Sequence, residues 1–425
     1  MQHTIPVSNL EKSLGPQANS MAQAIESCIH CGFCLAVCPT YQVLGEEMDS
    51  PRGRIVLMKS VLEGDIPLGE AIPYIDRCLG CLACVTACPS GVRYGELVTP
   101  FRAYARGRVE RHAMQKVQHS LLTQTLPYTR RFRSAITAGK LARPFSGLLP
   151  DEIQTMLGML PKRLPDYEPL PAVTPAEGPL RARVALLVGC VQEVLAPEIN
   201  RATLRVLSTN GVEVIVPAEQ GCCGALLLHT GDHSKARALA RQNLSVITTD
   251  VDAILTNAAG CGSGMKDYEL LFKGRPEAKK AVQFAHKVQD VSQFLAGLGM
   301  LPPPSLPQPL KVAYHDACHL AHAQGITAQP RSLLAAIPNL TLVEIQDSAT
   351  CCGSAGTYNL EQPEIAAELG QRKALNIIQS GAEAIAMCNI GCMVQIRNHL
   401  QTQGKLLPVF HVMELLDMAY TRPQD

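Results

Sequence analysis

Eight of the seventeen cysteines fall into two runs of one spacing, Cys28-x2-Cys31-x2-Cys34-x3-Cys38-Pro39 and Cys78-x2-Cys81-x2-Cys84-x3-Cys88-Pro89. Thiolates are soft ligands, and three of them two residues apart can wrap one corner of a metallocluster that a regular strand could not follow. The fourth ligand must then come from elsewhere in the chain. Structural zinc usually draws its thiolates from two short Cys-x2-4-Cys pairs, and four cysteines ending in Cys-Pro, twice over, overshoot that pattern. A disulfide framework fits no better. Residues 1–20 contain two prolines and no apolar stretch, so no secretory segment is expected, and seventeen cysteines then point to a reducing compartment and metal ligation.

The spacing is that of a two-cluster ferredoxin, in which the remote cysteine of each run ligates the other cluster. It assigns Cys28, Cys31, Cys34 and Cys88 to one [4Fe-4S] cluster, and Cys78, Cys81, Cys84 and Cys38 to a second.

The other cysteines lie in an internal repeat. Arg183 to Cys190 matches Lys311 to Cys318. Gly221-Cys222-Cys223-Gly224, after the apolar run Val212 to Pro217, matches Cys351-Cys352-Gly353 after Leu340 to Ile345. Asp252 to Asn257, leading to Gly260-Cys261, matches Ala382 to Cys388, leading to Gly391-Cys392. The offsets are 128 residues for the first cysteine, 129 for the vicinal pair and 131 for the last, a nearly gapless duplication. Helical patterns at 233–249 and 364–379 separate the apolar runs, so each unit reads as strand, helix, strand, helix, strand around a small parallel sheet. Every cysteine then falls just past the C-terminal end of a strand, where open α/β sheets place ligands. The two candidate sites are Cys190, Cys222, Cys223, Cys261 and Cys318, Cys351, Cys352, Cys392. An adjacent pair offers two sulfurs at one spot, and the glycine after it permits positive φ or close backbone approach. An iron-sulfur cluster is the first expectation for these sites, with zinc and a redox-active vicinal disulfide as alternatives.

Several other residues carry weaker signals. Cys388 falls opposite Asn257 and reads either as a fifth thiol or as a small buried hydrophobe. His315, His319 and His322 surround Cys318, where packing competes with proton movement or contact to a quinone oxygen. Gly260-Cys-Gly262-Ser-Gly264 has part of the look of a phosphate loop but lacks its full spacing. No Gly-Lys-Ser/Thr loop, Ser-His-Asp arrangement or flavin fingerprint is evident, so no catalytic residue for substrate oxidation is assigned.

A chain of 425 residues, 47% hydrophobic and 18% charged, has room for two or three well-packed domains. Its net charge of +1 leaves no excess to neutralise a phosphate backbone and argues against nucleic acid. The basic stretch of Arg102, Arg106, Arg108, Arg111 and Lys116 reads as a solvated helix face or a surface for an acidic partner. No run approaches the eighteen apolar residues of a membrane span, so a cytoplasmic protein, soluble or peripheral at the inner face of the membrane, is expected. Proline clusters at 161–179 and 302–309 mark linkers. The expected domains are 1–110 for the two clusters, 111–180 for helices and linker, and 181–301 and 310–425 for the repeats.

This order of parts resembles the iron-sulfur subunits of glycolate oxidases along the whole chain. The likeness is carried by Cys28-Ile-His-Cys31-Gly-Phe-Cys34, Pro51-Arg-Gly-Arg54-Ile, Cys88-Pro-Ser-Gly-Val-Arg93-Tyr94, Gly221-Cys-Cys-Gly-Ala225 and Cys351-Cys-Gly-Ser-Ala-Gly-Thr-Tyr358. Related arrangements occur in the electron-transfer subunit of anaerobic glycerol-3-phosphate dehydrogenase, in lactate-utilisation proteins and in heterodisulfide reductases. The resemblance implies an α+β and α/β multidomain chain, in which a helical bis-[4Fe-4S] ferredoxin-like domain precedes two α/β Cys-Cys-Gly (CCG) domains. It implies flavin-containing glycolate oxidase subunits as partners, and electrons passed from their flavin toward a quinone or other membrane acceptor as glycolate becomes glyoxylate. The heterodisulfide reductase motif ends in Cys-x2-Cys, whereas here unit one has a lone Cys261 and unit two Cys388-x3-Cys392. Its noncubane cluster and thiol-disulfide chemistry therefore stand only as the alternative.

Overall fold

The first cysteine run is shaped by its own turns. In a computed structural model, which describes residues 5, 11, 14–148, 154, 157–158, 160–161 and 163–421, His30 and Gly32 take φ of 55° and 85°, and Gly80 and Leu82 take 65° and 63° at the same places in the second run. Left-handed residues on either side of Cys31 and Cys81 curl each loop back on itself before a single helical turn, Phe33–Ala36 or Ala83–Thr86. Pro39, with its fixed φ and no N–H, opens helix Pro39–Leu44 directly after Cys38. Helices Ala18–Glu26, Pro51–Glu63, Leu68–Asp76 and Gly95–Ala105 enclose these loops around Met21, Ile25, Met58, Ile75, Leu97 and Phe101. Ser50 starts Pro51–Glu63 by accepting from Gly53 N at 3.0 Å, and Gly64 at φ 87° ends it.

Helices Ala113–Thr125 and Thr129–Ala142 follow, where alternating basic and apolar residues predict them. Within the proline-rich stretch, β1 (Val173–Thr174) adds to a sheet edge, antiparallel to β3.

The first repeat contains β2 (Ala182–Leu187), β3 (Val212–Ile215), β4 (Ala253–Thr256) and β5 (Val288–Asp290), in the order β1-β3-β2-β4-β5, with β2 to β5 parallel. The second contains β6 (Leu310–Tyr314), β7 (Leu340–Val343), β8 (Ala384–Met387) and β9 (Val409–His411), all parallel in the order β7-β6-β8-β9. Three strands per unit are as the repeat predicts. The fourth, β5 or β9, is three residues long and shows no periodicity of its own. β4 and β8 are buried at every position, as central strands covered on both faces must be.

The repeats also exchange helices. Val412–Tyr420, the last helix of unit two, lies on Glu198–Thr209 of unit one, and Val291–Leu298 of unit one lies on Ala328–Ala335 of unit two. One apolar core therefore runs through both sheets, from Val184 and Leu207 to Ile385 and Leu416. Arg205 closes the exchange with two bonds to Asp417, at 2.8 and 2.7 Å.

Candidate metal centres

The four N-terminal helices surround two cavities that share a wall. Cys28, Cys31, Cys34 and Cys88 line the first, and Cys38, Cys78, Cys81 and Cys84 the second, while Pro51, Cys84 and Tyr94 border both. Each cavity thus collects three cysteines of one run and the remote cysteine of the other. The donor set, four sulfurs around an otherwise largely apolar space, fits a [4Fe-4S] cluster. Burial pushes the Cys34 thiol up to about 11 and holds Cys81 and Cys84 well above the ordinary range, so these buried sulfurs ionise only beside a cation, which bound iron supplies.

The second cavity has a built-in positive charge that motif reading of the cysteines alone does not find. Arg54 is 1% exposed and donates to Tyr74 O at 2.7 Å, Thr40 Oγ1 at 3.0 Å and Asp49 Oδ1 at 3.0 Å, with Cys38 Sγ at 3.9 Å. Asp49 is shared with Arg77, at 2.8 and 2.9 Å. Burial opposes ionisation of Cys78, yet the Arg54 and Arg102 guanidiniums outweigh it and bring that thiol below its ordinary value. Gly80 N and Tyr94 Oη also reach Cys78 Sγ, at 3.4 and 3.8 Å. In the first cavity, burial likewise opposes ionisation of Cys88. Ser90 Oγ at 3.3 Å and Val92 N at 3.4 Å prevail and lower it.

In each repeat the cysteines converge past the strand ends. Cys190 and Cys222 stand 3.2 Å apart, sulfur to sulfur, and Cys223 sits between Cys222 and Cys261. In the second repeat Cys318 and Cys351 are 3.8 Å apart, and Cys352 lies beside Cys392. Gly224 and Gly353 have φ of 80° and 86°. A Cβ on Gly353 would come within 2.6 Å of Ala366 O, so both positive φ and close approach are required there. Asn243 anchors the first vicinal loop, accepting from Gly221 N at 2.8 Å and donating to Cys222 O at 3.0 Å. Lys373 holds the equivalent place on Pro363–Gln379 and donates to Ser348 O at 3.2 Å and to Asp347 O. Asn389 Nδ2 meets Cys392 Sγ at 3.4 Å.

The remaining candidates separate. Cys388 is fully buried with Tyr314 Oη 3.8 Å from its sulfur, and its thiol joins neither set. It is the packed hydrophobe. Asn257, its counterpart, belongs to an amide network with Gln192, Asn200 and Thr203. The glycines of 260–264 serve packing, since a Cβ on Gly264 would lie 2.4 Å from Ala225 Cβ and one on Gly262 2.9 Å from Gln324 Oε1. His319 Nδ1 is 3.5 Å from Cys318 Sγ, and its ring faces His229 at 5.2 Å. His322 bridges Thr86 Oγ1 at 3.0 Å and Ala349 O at 3.1 Å. His315 is buried among the second set. The basic stretch is largely spent inside the molecule: Arg102 donates to Ile75 O, Cys78 O and His229 O, Arg106 pairs with Asp232, and Arg111 pairs with Asp76.

The second cavity and the second repeat share one buried layer, formed by Leu79, Cys81, Cys318, Cys351, Tyr358 and Ile365. Tyr358 Oη donates to Arg77 O at 2.8 Å across the same boundary. Among the described residues no helix is long and apolar enough to cross a membrane.

Comparison with known proteins agrees with this geometry. A 4Fe-4S dicluster domain model matches residues 24–92, and a cysteine-rich domain model matches 184–266 and 312–397. The chain is 37% identical over 424 residues to the glycolate oxidase iron-sulfur subunit of Escherichia coli, covering 96% of this chain and 99% of that one. It is 35% identical over 398 residues to a probable glycolate oxidase iron-sulfur subunit of Bacillus subtilis, covering 89% of each. Lactate utilization protein A of an Exiguobacterium species is 31% identical over 236 residues, 55% of this chain and 96% of that one. The dicluster domain carries two [4Fe-4S] clusters, the cysteine-rich repeats are of a kind that suggests further iron-sulfur binding, and the chain belongs to the family of glycolate oxidase iron-sulfur subunits.

Proposed function

We propose that this chain is the electron-transfer subunit of a flavin-dependent 2-hydroxyacid dehydrogenase complex, serving glycolate oxidation by a partner and delivering electrons toward a quinone-type acceptor. Cys28, Cys31, Cys34 and Cys88 hold one [4Fe-4S] cluster and Cys38, Cys78, Cys81 and Cys84 the other. The sets Cys190, Cys222, Cys223, Cys261 and Cys318, Cys351, Cys352, Cys392 are two further metal sites. Domain limits of 1–110, 111–180, 181–301 and 310–425 accompany this assignment. Bound clusters would supply one-electron steps, and a reduced flavin can give up its two electrons singly to such an acceptor.

The observation that carries the reading is the layer shared by Cys81, Cys318 and Cys351. A wall of Leu79, Tyr358 and Ile365 keeps water from between two cysteine sites on different domains, and Thr86–His322 and Tyr358–Arg77 fix their separation. At the opposite end, Cys31 is exposed and flanked by Ile29 and Phe33, 64% and 65% exposed, which suits a face closed by the flavin-bearing partner. Lactate is the second candidate substrate for that partner, supported by the likeness to lactate utilization protein A.

The test is to assay the partner flavoproteins with and without this chain, offering glycolate or lactate and a soluble quinone. Hydroxyacid-dependent quinone reduction is expected only when the chain is present. Full activity without it would overturn the proposal.

A further inference from the structure

The two repeats match in their cysteines but differ three residues before the first one. Unit one has Leu187 there, an apolar residue of its core, and unit two has His315. His315 is 0% exposed, neither ring nitrogen makes a well-formed hydrogen bond, and the group its ring meets is the Cys352 thiol. A buried imidazole left with only a weakly hydrogen-bonding sulfur beside it calls for an explanation, and a bound ion is one. Its ring is aimed at the cysteine set: a nitrogen of His315 and the sulfurs of Cys352 and Cys392 all lie within 4.8 Å of one another. Cys318 and Cys351 complete the surroundings as a second pair.

We infer that His315 is a metal ligand, so that the second repeat holds an iron-sulfur centre of mixed thiolate and imidazole ligation, while the first repeat's site is thiolate only. One ring nitrogen binds iron and the other keeps its proton. The inference rests on the reading that the repeats hold metal. One observation favours iron over zinc. The site adjoins Cys81 through a buried apolar layer, a placement that serves electron transfer and that a redox-inert ion would not use. A neutral imidazole in place of a thiolate raises the reduction potential of a cluster, and Lys373, buried where unit one has the neutral Asn243, acts in the same direction. The duplicated fold thereby carries two sites of unequal potential, with the more oxidising one beside the dicluster region.

The test uses the full-length, anaerobically purified chain labelled with 15N-histidine, carried through a redox titration with pulsed EPR at each potential. A nitrogen coupling to an iron-sulfur signal, altered by the label and lost in His315→Leu, is the expected result. His315→Cys should keep the iron content, lose the coupling and lower the midpoint potential of that signal. Absence of histidine coupling at every potential in the wild-type chain, or its persistence in His315→Leu, would overturn the inference. So would stoichiometric zinc with only about eight irons per chain, the complement of two [4Fe-4S] clusters. The wild-type measurement depends on no variant folding, and the dicluster signals are read in the same spectra. Failure at His315 with those signals intact leaves the electron-transfer reading standing, whereas their absence would indict that reading itself.

Discussion

At the scale of single residues, charges buried beside the cysteine sites set both stability and potential. Arg54 and Asp49 are each 1% exposed and are bound into one network with Arg77 and Thr40. Removing Arg54 leaves the buried Asp49 with Arg77 alone and strips Tyr74 O and Thr40 Oγ1 of their donor. Arg54→Met should therefore destabilise the chain by on the order of 3 kcal/mol, read as a lowered melting midpoint, and should lower the potential of one of the two dicluster signals in an EPR titration. Arg54→Lys keeps the charge and should shift the potential less. A second buried charge acts through pH. Burial raises the Asp290 carboxyl from 3.8 to about 6, against the bonds it accepts from Ser292. Below pH 3.8 it is protonated folded and unfolded alike; between there and about 6 the unfolded chain loses the proton first, so its contribution to stability falls as pH rises. Denaturant titrations of Asp290→Asn against wild type should show a stability difference that grows by up to about 3 kcal/mol in favour of the variant across that window and is flat on either side. A difference independent of pH would contradict the assigned shift.

At the scale of elements, the vicinal-cysteine loops depend on glycine where no other residue fits. Gly353 combines φ of 86° with a Cβ position 2.6 Å from Ala366 O, so Gly353→Ala must either strain the loop or push it off helix Pro363–Gln379. The expected outcome is a loss of about 1–3 kcal/mol in stability together with loss of metal from the second repeat only, measured by iron and zinc content beside undiminished dicluster EPR signals. The elements also show what a sequence makes legible. The cysteine spacings, the duplicated strands ending at Cys-Cys-Gly, and the helices at 233–246 and 363–379 are readable, because spacing, periodicity and repetition are local signals. β1, β5 and β9 are not, since strands of two or three residues exist only through their pairing with neighbours already in place. Arg54 stands inside the Pro51-Arg-Gly-Arg54 motif, but its burial against Asp49 and Cys38 is a tertiary fact with no local trace. In the sequence His315 is one of three histidines around Cys318. What distinguishes it, a fully buried ring just past β6 set against the sulfurs of Cys352 and Cys392, comes only from the folded surroundings.

At the scale of the whole molecule, the repeats are duplicated in sequence but not independent in packing. Each lays its last helix on the helix that precedes the other's second strand, Val412–Tyr420 on Glu198–Thr209 and Val291–Leu298 on Ala328–Ala335. Cutting the chain within 302–309 would expose Ile199, Val206 and Leu207 on one half and Leu333 and Leu334 on the other. Unit one expressed alone should aggregate or lose its near-UV signal, and the two units in the intact chain should melt in one transition; two separate transitions would show the exchange to be energetically minor. A separate docking, of the N-terminal cysteine loops on the second repeat, sets Cys81 against Cys318 and Cys351, on which the proposed route of electrons depends. Its most direct test is freeze-quench EPR on the complex of this chain with the proposed flavoprotein partners after addition of glycolate. The account predicts glycolate-dependent reduction of the iron-sulfur signals, at a rate no slower than quinone reduction and absent without the flavoprotein. Steady quinone reduction with those signals unchanged throughout turnover would contradict it.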